Sequence, residues 1–210
     1  MRQYKASLAA LPAIGDLDER VRAVAADALT SAPWEMIAGE FVRLLGDKSA
    51  FVRQEAAFAM GKISDKDGTQ LILLLVNLVE TDPYLNVRAA AALSMGSQRD
   101  RNGSQALIPI LEGSIGGKIR DKSETEIDFL RRSAAIALGQ IGDRSATPSL
   151  IAVLENRKET PDTRREAARA LGLIGDPSAN SALRSAVADR DPYLSEIAFN
   201  ALARISELRN

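Results

Sequence analysis

Phe129-Leu130-Arg131-Arg132-Ser133-Ala134-Ala135-Ile136-Ala137-Leu138-Gly139-Gln140-Ile141-Gly142-Asp143 is the stretch whose reading decides the fold. It is an Arg, a run of small residues, then Leu-Gly-x-Ile-Gly-Asp. Counted from Arg131, the pattern is Ala at +3, +4 and +6, Leu or Met at +7, Gly at +8 and Ile at +10. Complete or worn copies start at Arg22, Arg53, Arg88, Arg131, Arg164 and Ser195, so the successive spacings are 31, 35, 43, 33 and 31. A period in the low thirties marks an array of stacked helix pairs, in which each repeat buries its apolar face against the next.

The Ala content follows from helix geometry. At 100° per residue, positions -1, +3, +6, +7 and +10 share an arc of about 100°. They carry Val or Leu, Ala, Ala, Leu or Met, and Ile. Ala lets neighbouring helices approach, and the larger residues fill the seam. The outer copies are eroded: Thr30 stands where Gly is expected in the first, and Ser195 and Ala203 replace Arg and Gly in the last. One flank of a terminal repeat faces water, so this erosion suits capping repeats.

Each copy is preceded by a second helical segment, predicted over Gln3–Leu11, Pro33–Leu45, Thr69–Glu80, Ser104–Leu111, Ala146–Leu154 and Ala179–Val187. Pro33 and Pro148 suit a first turn, and Asp176-Pro177 a turn just before one. Asp-x5-Arg recurs at Asp16, Asp47 and Asp82, and Asp189 stands in the same place ahead of Ser195; an acid there can cap the helix that follows. Gly142-Asp143 and Gly175-Asp176 supply left-handed stops. The chain therefore reads as one repeat domain over 1–210, with repeats near 1–31, 32–64, 65–97, 98–142, 143–175 and 176–210. An inserted loop at 113–125 accounts for the long spacing.

Composition narrows the function. Of 210 residues 46% are hydrophobic and 26% charged, as in a packed protein. With a net charge of -1, a general nucleic-acid surface lacks the Lys/Arg excess that phosphate neutralisation needs. There is no Cys and no His, so disulfides, thiolate or imidazole metal sites, Cys nucleophiles and His acid–base chemistry are excluded. The longest apolar run, Leu71–Val76, is far short of the ~20 residues that span a bilayer. Met1 to Ile14 reads as a first amphipathic helix in preference to a targeting segment. A cytoplasmic chain without cofactor or metal is the expectation.

The copies at Arg131–Asp143 and Arg164–Asp176 resemble the HEAT-like repeat first described in phycobilin (PBS) lyase subunits, and the resemblance spans nearly the whole chain. It implies an all-α, right-handed α-solenoid (superhelix) of about six HEAT-like antiparallel helix pairs, armadillo-like in form. Families built this way include protein-binding scaffolds, bilin-attachment and bilin-removal factors, and deoxyhypusine hydroxylase. The last holds two irons with His-Glu pairs, which a chain without His cannot supply.

Two features are candidate sites. Positions +1, +2, +5 and +9 lie opposite the packing arc, and +5 carries Phe58, Leu93 and Ile136 in three successive copies. With Gln54, Glu55, Arg132, Arg165, Glu166 and Arg169 around them, they form an expected apolar stripe with a charged rim. On the concave face that would suit an extended segment or helix of a protein partner. The alternative is that the three apolar residues pack sideways between helices. Arg22, Arg53, Arg88, Arg131 and Arg164 share one register and read as a structural ladder. The second feature is the Gly-rich insertion, read as a mobile loop. Its Gly116-Gly117-Lys118 lacks the spacing and preceding strand of a phosphate-binding loop.

The reading is of a non-catalytic scaffold, with a chromophore-handling, lyase-type subunit as the alternative. A bilin handler should have a pocket lined by Arg and aromatics. The chain has only five Phe, three Tyr and one Trp, and only Phe58 is placed inward by register.

Overall fold

The computed structural model describes residues 4–63, 69–120 and 123–208. Twelve α-helices and no strand occur among the described residues. They are α1 Lys5–Leu8, α2 Glu19–Leu29, α3 Trp34–Leu45, α4 Ala50–Met60, α5 Thr69–Thr81 and α6 Leu85–Gln98. The array continues with α7 Ser104–Leu111, α8 Glu124–Ile141, α9 Thr147–Glu155, α10 Pro161–Ile174, α11 Asn180–Val187 and α12 Pro192–Glu207. The chain is an α-solenoid of helix pairs, and the even-numbered helices carry the repeated Ala-rich pattern.

The first upstream helix differs from expectation. In place of one helix to Leu11, α1 ends at Leu8 and a 3-10 turn follows over Leu11–Gly15. Pro12 has no N–H to continue an α-helical ladder, which accounts for the change of winding.

The even helices meet their neighbours directly along the array, while the odd ones touch far less. The repeated small residues are the cause. Ala56, Ala91, Ala134, Ala167 and Ala198, all at +3, have no exposed surface. Gly96, Gly139 and Gly172, at +8, lie against position +6 of the next copy. A β-carbon there would fall 2.7, 2.8 and 2.8 Å from the Cα atoms of Ala137, Ala170 and Ala201. Close approach on one side and wider spacing on the other curve the array, with the even helices inside. Copy three has Gln98 where Ile is expected. Its amide donates to the Met60 and Ile63 carbonyls at 2.7 and 3.0 Å, satisfying the open end of α4.

The arginine ladder runs between repeats. Arg22 meets Asp47 at 2.7 Å, Arg53 meets Asp82 at 2.6 Å, Arg131 meets Glu159 at 2.5 Å and Arg164 meets Asp189 at 2.7 Å. In each case the acid belongs to the following repeat. The acid six residues ahead of an Arg serves its own copy through the backbone: the Asp16, Asp47 and Asp82 carbonyls accept from Arg22, Arg53 and Arg88. Its carboxylate also accepts a backbone N–H two residues on, as at Ser49 and Tyr84. One Asp thus fixes a turn and ties two copies together.

The inserted loop is not the free segment that its glycines suggest. Ser114 donates its N–H to the Pro109 carbonyl, Arg120 donates to Pro83, and the Gly116 carbonyl accepts from Arg88 at 2.8 Å. Ile115 and Ile119 pack against the core. Residues 121–122 of the insertion lie outside the described residues.

Candidate protein-binding surface

The inner face is built from the side of the even helices left uncovered when their Ala-rich arcs pack. Phe58, Leu93 and Ile136 lie there half-buried, and Phe58 also packs against the core. The structure divides the expected stripe. Ile136 lines a hollow of about 260 Å³ with Gln140, Glu166, Arg169, Ala170 and Leu173. Arg169 and Leu173 also line a neighbouring hollow of about 690 Å³ between α10 and α12, which adds Tyr193, Ile197, Asn200 and Arg204. Phe58 and Leu93 line neither. The expected site residues that come together are Ile136, Glu166 and Arg169.

The rim charges are engaged within the chain. Arg132 lies 3.1 Å from Asp128 and 3.4 Å from Asp162, and stacks over the Phe129 ring at 5.8 Å. Arg165 pairs with Asp162 at 2.8 Å and Asp191 at 2.9 Å, and sits 5.0 Å from the centre of Tyr193. Asp162 therefore bridges copies four and five, and Arg165 carries the chain of alternating charges to copy six. Glu166 and Arg169 pair on one helix at 3.1 Å, and Gln54 accepts from Asn86 at 3.2 Å. Glu55 is half-buried beside them on α4. Arg132 and Arg165 each tie their own repeat to the next, a role the expected rim did not include.

Leu173, Tyr193, Ile197 and Arg204 were not singled out by register. Position -2 falls at the same angle as +5 and +9, and the copies carry Phe51, Phe129 and Tyr193 there, at 44%, 41% and 65% exposure. Position +9 carries Gln140, Leu173 and Arg204. Reading those two registers finds Leu173, Tyr193 and Arg204, and Ile197 falls at +2. Tyr193 also corrects the expectation that only Phe58 among the aromatics points inward. Among the described residues, no three acidic side chains converge as metal ligands would.

Electrostatics tie this face to the fold. Hydrogen bonds from Arg22 and Arg164 hold Asp47 and Asp189 below the ordinary carboxylate range, and Arg165 does the same to Asp191. A carboxyl whose folded pKa lies below its unfolded value stabilises the fold above that unfolded value, near ~4. The stabilisation is lost as pH falls through the folded value. With no His, no side chain of ordinary pKa titrates between about pH 5 and 8. The melting temperature should therefore be level from about pH 5 to 8 and fall below about pH 4. The fall should be shallower in Asp189→Asn. Circular dichroism melts at stepped pH check this, and a step near pH 6.5 would contradict it.

The sequence profile of HEAT repeats matches residues 8–96 and 147–209, and that of the PBS lyase HEAT-like repeat matches residues 130–156. The chain belongs to the HEAT-repeat family. Among solved structures, this HEAT-repeat chain is similar to the complex of CpcE and CpcF of phycocyanin lyase from Nostoc sp. PCC7120. The match has 24% identity and a TM-score of 0.67, covering 97% of this chain and 78% of that one. It is also similar to human deoxyhypusine hydroxylase, at 19% identity and TM-score 0.53, covering 96% and 84%. A designed armadillo repeat protein matches at 16% identity and TM-score 0.57, covering 96% and 100%. At these identities the likeness is one of fold. No curated protein matches the sequence. No helix among the described residues is long and apolar enough to cross a membrane.

Proposed function

We propose that this HEAT-repeat chain is a non-catalytic scaffold that grips a protein partner, as an extended segment or a helix, on its concave face. The observation that carries the reading is the pair of adjoining hollows between α8, α10 and α12. Ile136, Leu173, Ile197 and Tyr193 give them an apolar centre, and Glu166, Arg169, Arg204 and Glu207 a charged rim. That arrangement supports anchoring of apolar side chains with polar contacts around them. Arg132 and Arg165 pre-set the spacing of the three helices, which lowers the ordering cost on binding.

The test is capture of a partner by the wild type beside Ile136→Asp and Val42→Asp. Val42 is half-exposed on the outer helix α3. Ile136→Asp should weaken capture at least ~10-fold with little change in melting, because a buried charge would replace an apolar anchor. Val42→Asp should bind as the wild type does. Equal loss in both, or loss of folding in Ile136→Asp, would remove the inner face from the proposal.

A second reading is a chromophore-handling subunit. The larger hollow favours it, since Arg169, Arg204 and Tyr193 offer guanidinium groups for propionates and an aromatic face for rings. Its volume of about 690 Å³ is in the range of small-molecule sites. Glu196 and Glu207 on the same walls oppose an anionic ligand. A bilin bound there would change its absorbance in the presence of the chain and lose that change with Arg169→Leu, while protein capture would be indifferent to the bilin.

A further inference from the structure

One rung of the ladder is unlike the others. Arg22, Arg53, Arg131 and Arg164 each end on a carboxylate from the following repeat. Arg88 does not. It is 1% exposed, yet it receives two backbone carbonyls, Asp82 at 2.5 Å and Gly116 at 2.8 Å. Its Nη2 has no hydrogen-bond partner among the described residues. Asp82, whose charge acts on Arg88, already spends both carboxylate oxygens on Arg53. Gly117 lies so close that a β-carbon there would come 2.9 Å from Nη2. Among the described residues, backbone of the inserted loop stands where the other rungs have an acid.

Burial pushes the pKa of this guanidinium down, and the charge of Asp82 offsets that only in part. Arg88 also lines a hollow of about 260 Å³ between α5, α7 and the loop. Ser114 and Gln105 offer further hydrogen bonds on its walls, while Val79 and Ile110 make them partly apolar. Glu80 stands on the same wall and raises the cost of a multiply charged guest. The space is below the ~300 Å³ at which pockets for drug-sized ligands begin, so a nucleotide does not fit.

We propose that this hollow is a carboxylate site, in which Arg88 takes from outside the acidic group that its sister arginines receive from the next repeat. A singly charged carboxylate, with an aliphatic stem against Val79 and Ile110, matches both the donors and the walls. The same chemistry is offered by the Glu or Asp side chain of a polypeptide and by a free short-chain acid. The site lies at the loop edge between outer helices, away from the inner face, and stands whether or not that face binds a protein.

The experiment is thermal melting of the full chain in sodium propionate, against chloride and phosphate at equal ionic strength, for the wild type, Arg88→Met, Ser114→Phe and Asp121→Asn. Propionate in excess should raise the wild-type melting temperature by at least about 2 °C over chloride, and phosphate should not. Ser114 is exposed, so Ser114→Phe should fold and melt normally in chloride yet lose the propionate response by plugging the mouth. Arg88→Met, where it folds, should lose the response too. Asp121→Asn should melt and respond as the wild type does. No propionate shift, a shift retained in Ser114→Phe, or an equal shift with phosphate would overturn the proposal. So would a large drop on Asp121→Asn, which would make the carboxylate the chain's own. Titration with a blocked Ala-Glu-Ala peptide beside Ala-Gln-Ala then separates the sources. Tenfold tighter binding of the Glu peptide than of propionate assigns the site to a polypeptide, and equal binding assigns it to a small acid.

Discussion

Gly139→Val should cost about 3 kcal/mol or more and divide the unfolding transition in two. Gly139 lies where α8 and α10 pack closely. A β-carbon there would lie 2.8 Å from the Ala170 Cα and 2.9 Å from its Cβ, and 3.2 Å from Leu173. The two contacts with Ala170 cannot yield by a rotamer change, so the helices must separate. Separation forfeits the tight packing of neighbouring small residues, including Ala134, Ala137 and Ala167, which have no exposed surface. In a solenoid each repeat is stabilised by its neighbours, so weakening one interface uncouples the repeats on either side. Calorimetry and urea melts should show repeats five and six unfolding first, with a lower slope for the early phase. Gly39→Ala is the control. A β-carbon at Gly39 would have no atom within 4 Å, and the site is inside a helix, so that variant should be neutral or stabilising by about 0.5–1 kcal/mol. A single unshifted transition for Gly139→Val would show that the seam is not set by this contact.

Arg53→Met should be comparably damaging, at about 3–5 kcal/mol and a fall in melting temperature on the order of 10 °C. The reason is what it leaves behind. Asp82 is 5% exposed, and its two carboxylate oxygens are held by Arg53 at 2.6 and 3.1 Å. Removing the guanidinium leaves a buried carboxylate with one hydrogen bond among the described residues, from the Tyr84 N–H, and the charge of Arg88 nearby. Arg53→Met with Asp82→Asn should recover part of the loss, giving a coupling of at least about 2 kcal/mol in the double-mutant cycle. Lys62 and Asp27 make a pair of similar length, 2.6 Å, with both side chains above 60% exposed. Lys62→Ala should change stability by less than about 0.5 kcal/mol. Equal effects of Arg53→Met and Lys62→Ala would refute the role of burial.

Much of the fold was legible because the repeat pattern encodes it locally. Ala at +3, +4 and +6 and the Gly at +8 specify which helix faces meet, and Asp16, Asp47, Asp82 and Asp189 mark the turns ahead of four of the Ala-rich helices. The groove was less legible. Register placed Ile136, Glu166 and Arg169 on the face where the hollows lie, but it placed Phe58 and Leu93 there on equal terms. It could not tell that Arg132 also reaches Asp162 and that Arg165 reaches Asp191. Those partners lie up to a repeat away, and a helical wheel carries no information across copies.

The chain's own residues, read in one dimension, determined that this is an array of helix pairs and which arc of each Ala-rich helix is buried. That arc depends only on 3.6-residue periodicity and side-chain size, both local properties. Tertiary structure alone decided which acid of the next repeat an arginine meets, that the inserted loop is pinned over Arg88, and that the hollows gather between α8, α10 and α12. Each of these depends on distances between segments about thirty residues apart, which are set by how far small side chains let neighbouring helices close.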